Sequence, residues 1–502
     1  MKRTLLLLCV MVFSQAHAQH PARLKIIHWN DFHAQNTPVV KKDAHGKTYS
    51  VGGFAYFKAA IDSLKRAAEL ENEPVLLLDA GDNFQGTAIS GFTRGASQIK
   101  LMNIIHPDAV TLGNHEFDYG WMNIDSLIRF KAIYDVTCAN IERNDGKPFV
   151  QQFLLKQVGT LSVAIIGLTT DDLENLTLPW HIQGLTIARC AATLKIVLPE
   201  IKKLKPDLII VLSHIGVEAD RKLATQFPEV NIFVGGHSHT PLEKPIRESH
   251  SLIVQAGSRG QYVGELDLTI DTDADSVLTS DGRLIETVND KFSPNRAIVE
   301  QIELVEKPIN IKLGETIAIL KKDWKIHRPF ASNLASYEAM VFREDLHSEI
   351  GVINYGGLRK SLTAGDITMR DMYEINPFGN ELVQFDLTGA EIKQVLERMF
   401  GDSGREACEF SGILCKVDTN QSEGKRISVI RIGDADWNPK KKYLLTTNIY
   451  IATHLHSFFG IEESSHPLKH TGITDFDLLV EGTRKRKMIS GESEPWIIWH
   501  SQ

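Results

Sequence analysis

Cysteine is scarce in this chain, with five among 502 residues, too few for a disulfide-stapled scaffold. Cys138, Cys190, Cys408 and Cys415 are widely separated and no two form a Cys-x-x-Cys pair. They therefore offer no metal-ligand spacing and read as buried small residues. A Cys408–Cys415 bridge within one strand would be awkward, because seven extended residues cover roughly 23 Å. Positive charge is not in excess either. The 55 Lys+Arg stand against 63 Asp+Glu, a net of −8 with histidine neutral, which argues against nucleic acid as a partner. Beyond the N-terminus no apolar run approaches the ~18 residues of a membrane span, and there is no internal repeat. A hydrophobic fraction of 43% excludes low-complexity disorder. What remains is a soluble globular chain with room for two or three domains and nineteen histidines.

The N-terminus reads as an address. Lys2 and Arg3 precede the apolar run Leu5 to Phe13, and Ala16-His17-Ala18 offers a small-x-small cleavage site. Cys9 lacks the small residue that a lipoprotein signal places before its cysteine. Residues 1–18 are thus expected to be a cleaved secretory signal, leaving an exported mature chain of about −10 net charge.

From residue 24 to 285, strand-length apolar runs alternate with amphipathic stretches such as Gly52–Glu71 and Ala191–Leu204, the pattern of a layered α/β domain. Asp271-Thr-Asp-Ala-Asp and Thr279-Ser-Asp-Gly read as turns at a sheet edge, and Asn295–Lys307 as a polar helix. The expected division is a first domain over 19–290, a linker helix over 291–315, and a second α/β or α+β domain over 316–502. Helices are expected there at Asn333–Phe342 and Thr388–Phe400.

The informative pattern lies at the end of each apolar run in the first half. Leu24–Ile27 runs into His28, Asn30, Asp31 and His33. Pro74–Leu78 runs into Asp79, Gly81 and Asp82. Asp108–Leu112 leads to Gly113-Asn114-His115-Glu116 and Asp118, and Leu208–Leu212 to Ser213-His214. Val230–Val234 leads to Gly236-His237-Ser-His239, and Leu252–Val254 to Gln255-Ala-Gly257-Ser-Arg259-Gly260. A sheet brings its strand ends to one edge, where loops can gather distant residues at one point. Five of the six loops supply His, Asp or Asn. Each is weak alone, and together they describe a site.

Asp31-x-His33, Gly81-Asp82, Gly113-Asn114-His115-Glu116, His214 and Gly236-His237-x-His239 match in order the motifs of calcineurin-like metallophosphoesterases. With its export signal and second half, the chain resembles the secreted 5'-nucleotidase / UDP-sugar hydrolase family. Asn354-Tyr-Gly356-Gly357-Leu-Arg359 is similar to that family's N-x-G-G-x-R segment, and Asn376-Pro-Phe378-Gly379-Asn380 to its P-F-G-N segment. The resemblance implies an α/β/β/α sandwich followed by a substrate-binding domain. It also implies two divalent ions, drawn from Zn, Mn, Co or Fe. Asp31, His33 and His239 would bind one ion, Asn114, His214 and His237 the other, and Asp82 both. Such a pair lowers the pKa of a bridging water and clamps phosphoryl oxygens. Neutral imidazole and amide ligands preserve its attraction for an anionic ester. His115 would serve the leaving-group or transition-state oxygen, with Asp118 orienting its ring; a capping role is the other reading of Asp118. His28 has no family role and reads as packing. Asn354, Gly356, Gly357 and Arg359 would bind the substrate, a small phosphate ester of the nucleotide kind, and the 290–315 linker would act as the hinge.

The pattern breaks where the family sandwiches a nucleobase between two rings. Gly404–Cys408 offers no ring, and Phe410 is out of register. Thr447-Asn448-Ile449-Tyr450 replaces the second ring segment, with Ile449 in the ring position. Tyr450, Phe458 or Phe459 could substitute, and His454-x-His456 reads as a surface pair. Base stacking is worth roughly 1–3 kcal/mol in single-strand binders, so nucleoside selectivity is in question. Hydrolysis of nucleoside 5'-monophosphates is the first expectation. The same centre acting on a UDP-sugar, a 2',3'-cyclic nucleotide, another phosphate ester or a thiosulfate ester is the second. A non-catalytic exported binding protein is the third.

Overall fold

The structure is a computed structural model that describes residues 21–326, 332–401, 407–462, 465–493 and 495–499. The expected signal segment and residues 404–406 of the ring-less stretch Gly404–Cys408 lie outside the described residues.

Two large sheets form the core of the first domain. One has five strands in the order Ser276–Glu286, Tyr262–Asp271, Pro21–Trp29, Val75–Asp79, Ala109–Val110. The other has six, in the order Ile246–Glu248, Ser251–Val254, Ile232–Gly235, Leu208–His214, Leu161–Thr169, Phe153–Val158. Strand side chains alternate between faces, and the packing obeys that alternation. Ile26, Leu76 and Leu266 of the first sheet meet Ile165, Ile210, Leu212 and Val234 of the second in one buried cluster. On the far face of the first sheet, Ile27, Trp29 and Leu77 pack under Phe57, Ile61 and Leu64 of helix Phe54–Leu70. On the far face of the second, Ile166, Val211 and Phe233 pack under helices Cys190–Lys203 and Val217–Gln226. Helix, sheet, sheet, helix is thus the layer order, as the family resemblance implied.

The parallel strands Pro21–Trp29, Val75–Asp79, Leu208–His214 and Ile232–Gly235 end on the same side as the expected ligand loops. Thr279–Gly282, expected as a turn, is a strand interior paired with Leu266 to Thr269. The long hairpin partner supplies its backbone hydrogen bonds and overrides the local turn preference.

Helix Arg296–Leu313, capped by the Asn295 side chain accepting from Ala297 N–H, leads to the second domain. There a mixed sheet runs Cys408–Ser411, Ile350–Asn354, Lys442–Asn448, Glu381–Thr388, Lys469–Thr474. Helices Asn333–Asp345 and Asp475–Arg486 contribute to one core, and helix Gly389–Met399 to the other. The last helix begins with a capping box between Thr388 and Glu391. The run containing Cys408 and Cys415 is not one strand: Gly412, at φ 86°, breaks it into Cys408–Ser411 and Ile413–Val417, which belong to different sheets. All four described cysteines are buried. Among the described residues no helix is long and apolar enough to cross a membrane.

Candidate metal centre and substrate cavity

The five loops converge. Asp31, His33 and His239 offer ligand atoms within 4.8 Å of one another, and so do Asp82, His214 and His237. Asn114 joins the second group, its Oδ1 lying 3.0 Å from His237 Nδ1. Asp82 stands between the groups. Its Oδ1 accepts the His115 backbone N–H at 2.9 Å, while Oδ2 lies 3.1 Å from His214 Nε2 and 4.0 Å from His33 Nε2.

Asp31, His33, Asp82 and His214 are each anchored by one atom and present the other. Asp31 Oδ2 accepts from His237 N–H at 2.9 Å and from Asn30 Nδ2 at 2.6 Å. Its Oδ1 is buried without a hydrogen-bond partner and faces His239 Nε2 at 3.1 Å. His214 Nδ1 donates to the Ala80 carbonyl at 2.7 Å, which turns Nε2 inward, and that buried nitrogen has no aligned partner. His33 Nδ1 is 3.4 Å from the Phe84 carbonyl and its Nε2 is 3.0 Å from His239 Nε2. Two orphaned buried atoms and two facing imidazole nitrogens are what a cation between them would satisfy.

The protonation tendencies point the same way. Burial lowers His33 well below its ordinary value, and burial with the nearby His214 lowers His237 to about 4, so both keep a lone pair to give. Burial opposes a charge on His214 too, yet Asp82 and Asp31 push it up to about 10, a measure of how strongly this pocket favours a positive charge. The mixed nitrogen and oxygen donor set suits Zn, Mn, Co or Fe.

Backbone strain marks the same positions. Asp31, His33, Asp82, His237 and His239 have φ of 51°, 50°, 57°, 77° and 55°, a left-handed region that costs non-glycine residues energy and clusters at functional sites. The support comes from residues that the motifs leave without a role. Glu116 accepts backbone N–H groups of Asp82, Asn83 and Gly113 at 2.9, 2.8 and 2.7 Å, fastening two ligand loops together. Asn30 joins the Asp31 loop to the Gly257 carbonyl at 2.6 Å. Asn30 adjoins a ligand in sequence and Glu116 lies two residues from one, which is the only signal that could have found them.

His115 stands beside the ligands. Its Nδ1 is 2.8 Å from Asp118 Oδ2, and its Nε2 is 4.0 Å from Asp82 Oδ2. Burial works against its protonation, but Asp118 and Asp82 outweigh it and hold His115 above its ordinary value. Asp118 does not cap the next helix, whose N-cap is Gly120; its carboxylate serves the imidazole. His28 is buried against Gly264, lowered by burial to about 3, and packs.

A cavity of about 480 Å³ opens over the cluster at the junction of the two domains. Asp82, Asn114, His115, His237 and His239 line it from the first domain, and Asn354, Gly356, Gly357, Arg359, Phe378 and Asn380 from the second. Arg359 Nη2 lies 3.4 Å from His115 Nε2, and its guanidinium lies 5.9 Å from the Phe378 ring centre. The rings expected as substitutes divide. Phe410, Phe458 and Phe459 are buried in the core, and so is Ile449. Tyr450 lines the cavity, and its hydroxyl donates to the Asn175 carbonyl of the first domain at 2.5 Å. His454 is not half of a surface pair. It is buried, with Nδ1 2.7 Å from the Tyr450 carbonyl and Nε2 3.2 Å from the Glu174 carbonyl, whereas His456 is exposed.

Comparison with known proteins agrees with this geometry. Residues 24–241 match the family of calcineurin-like phosphoesterases, and residues 327–461 match the 5'-nucleotidase C-terminal domain. A 5'-nucleotidase of Vibrio parahaemolyticus is 28% identical over 91% of this chain and 88% of its own length. The crystal structure of a 5'-nucleotidase precursor from Thermus thermophilus superposes with a TM-score of 0.85 at 27% identity, covering 96% of this chain and all of that one. A sulfate thiohydrolase from Thermus thermophilus shares the fold, with a TM-score of 0.80 at 17% identity over 95% of this chain and 97% of its own. Domain order, converging ligands and relatives lead to one conclusion: the chain is a hydrolase made of a calcineurin-like phosphoesterase domain followed by a 5'-nucleotidase C-terminal domain.

Proposed function

We propose that this hydrolase is exported and cleaves nucleoside 5'-monophosphates to nucleoside and phosphate. One observation carries the reading: His115 Nε2 and Arg359 Nη2, one from each domain, stand 3.4 Å apart above Asp82. With His115 protonated, both are donors, so they do not satisfy each other. They converge instead on an acceptor oxygen placed between them, as an ester or phosphoryl oxygen would be.

Asp31, His33 and His239 would hold one divalent ion, Asn114, His214 and His237 a second, with Asp82 reaching both. Ions held there would supply a water of lowered pKa and neutralise charge on the transferred group. The chain's own residues do the rest. Asp118 accepts from His115 Nδ1, which fixes the ring and leaves Nε2–H to donate to the departing ester oxygen. Arg359 neutralises and orients the phosphoryl group from the second domain. Asn354, Gly356 and Gly357 form the cavity floor beside it, with Asn354 Oδ1 accepting from Asn448 Nδ2 at 3.3 Å. Closure of the domain junction around the ester excludes water.

Phosphate release from a nucleotide panel with added Mn²⁺ or Zn²⁺, coupled to metal analysis, tests the reading. Turnover of 5'-nucleotides no better than that of a plain aryl phosphate defeats it. Export is tested separately, by the N-terminal sequence of the chain recovered outside the cytoplasm; a chain retaining Met1 inside defeats it.

A second reading has a specific observation behind it. Leu176, Leu178, Phe378 and Tyr450 line the cavity, and among the described residues no ring pair stands at the expected positions. Weak reliance on a stacked base favours esters chosen by their phosphate and sugar, such as UDP-sugars, 2',3'-cyclic nucleotides or simple sugar phosphates. The same panel decides, through discrimination by sugar rather than base.

A further inference from the structure

The sixth strand-end loop, residues 255–260, supplies no carboxylate, histidine or asparagine, yet it reaches the same place as the other five. Asn30 clamps it: Oδ1 accepts from Ala256 N–H at 2.8 Å and Nδ2 donates to the Gly257 carbonyl at 2.6 Å. The Arg259 backbone N–H donates to the Asp31 carbonyl at 2.6 Å, with Arg259 itself at a left-handed φ of 57°. A strained arginine has thus been fastened to a metal-ligand loop, and it lines the same cavity as His239 and Arg359.

The surroundings of that guanidinium are unbalanced. Its Nη2 donates to the Arg359 carbonyl at 2.8 Å, which satisfies one of its donors and none of its charge. Among the described residues no carboxylate lies within 4.0 Å of it. The acid whose charge reaches it is Glu374, and Glu374 is already bonded to Lys360 at 2.7 Å and lies 3.7 Å from Arg370. Burial lowers Arg259 from its ordinary value, but a guanidinium stays charged. A largely enclosed cation beside a second arginine is costly until an anion meets it.

We propose that Arg259 is a substrate-binding residue that grips the phosphate of the ester together with Arg359, one guanidinium from each domain. This rests on the phosphate-ester reading above and adds to it a residue from the first domain's own sheet edge. Arg259 also joins three parts of the site: its backbone holds Asp31, its side chain holds the main chain of residue 359, and the residue lines the cavity.

The test is steady-state kinetics with inorganic phosphate as inhibitor, on the full metal-loaded chain and on Arg259→Met and Arg259→Lys. Charge-assisted hydrogen bonds of this kind are worth about 10–100-fold in binding. Arg259→Met should therefore raise KM and the phosphate Ki in parallel by about that factor, with most of the change in KM rather than kcat. A structural tie alone would lower kcat and the thermal midpoint at unchanged phosphate Ki, and that result overturns the proposal. Should Arg259→Met fail to fold, Arg259→Lys carries the test. An ammonium keeps the charge and loses the planar fork, so its phosphate Ki should be weaker by about 3–10-fold; a Ki equal to that of the unsubstituted protein overturns the proposal. An unsubstituted chain that hydrolyses no phosphate ester refutes the functional reading instead, so the two failures are distinguishable.

Discussion

The two domains meet over one cavity but hold their sides of it differently. In the first, each ligand loop leaves a buried strand, and Glu116, Asn30 and main-chain carbonyls tie the loops to one another. In the second, Asn354–Arg359 leaves a strand through the short turn Tyr355–Gly357, and Pro377–Asn380 comes after helix Met369–Ile375. Under that second loop lie Glu338, Asn376 and Asp475, all buried, and each has an unpartnered oxygen. Asn376 Nδ2 donates to Glu338 Oε2 at 3.3 Å, and the Asp475 backbone N–H donates to the Asn380 carbonyl at 2.9 Å. Burial, reinforced by Asp475, pushes Glu338 up to about 8, and burial pushes Asp475 to about 7. One side of the cavity is a set of cross-braced loops; the other rests on an acid pair that no cation meets within 4.0 Å among the described residues. The candidate metal ligands thus come from the first domain, while the second supplies Arg359 and the rest of the cavity wall.

Substitutions on each side should break this contrast in graded ways. Asp82→Ala removes the group shared by both ligand sets, so turnover and bound metal should vanish together, as read by phosphate release and elemental analysis. His115→Ala should lower kcat by ~10²–10⁴ with metal content retained; unchanged turnover would take away its role at the ester oxygen. On the other side, Tyr450→Ala should cost no more than about 5–100-fold in kcat/KM for nucleotides, the range for loss of one stacked base. A simple sugar phosphate should be spared, and equal losses on both esters would mean that Tyr450 only braces the domain junction. The smallest effect is on stability. Glu338 holds a proton in the folded chain that the unfolded chain releases at ordinary carboxylate pH. Stability is therefore greatest below that range and declines as pH rises towards about 8. Glu338→Gln should flatten the fall of the thermal midpoint between roughly pH 4.5 and 8.

The same contrast explains what was legible in the chain. A ligand at the end of an apolar run is visible because strand and chemistry are adjacent in sequence, and Asp31, His33, Asp82, Asn114, His214, His237 and His239 all obey this rule and meet in space. Arg259 obeys it too, but an arginine after a strand resembles any surface cation until the second domain is seen to enclose it. Glu116 and Asn30 are hidden by their neighbours, since nothing in Asn-His-Glu or Asn-Asp distinguishes a ligand from the residue bracing it. The cavity wall of Leu176, Leu178 and Tyr450 is assembled from both domains, and no local pattern encodes such a junction. His454 passes for a surface residue for the same reason: its burial depends on Glu174, 280 positions away. Thr279–Gly282 shows tertiary pairing overruling local turn chemistry.

The left-handed backbone at five ligand positions has a consequence for how this chain could change with time. Aspartate and histidine are among the few non-glycine residues that tolerate that conformation, so metal chemistry and backbone chemistry here select the same side chains. Glycine at any of these positions would relax the chain while abolishing a ligand, whereas alanine would abolish the ligand and keep the strain. Asp31→Gly should accordingly be more stable than Asp31→Ala by about 1 kcal/mol in denaturant unfolding. A lineage that had abandoned catalysis would have an easy downhill route, exchanging these residues for glycine one at a time. This chain has taken none of those steps, and so carries in its own backbone an argument against a merely binding, retired site.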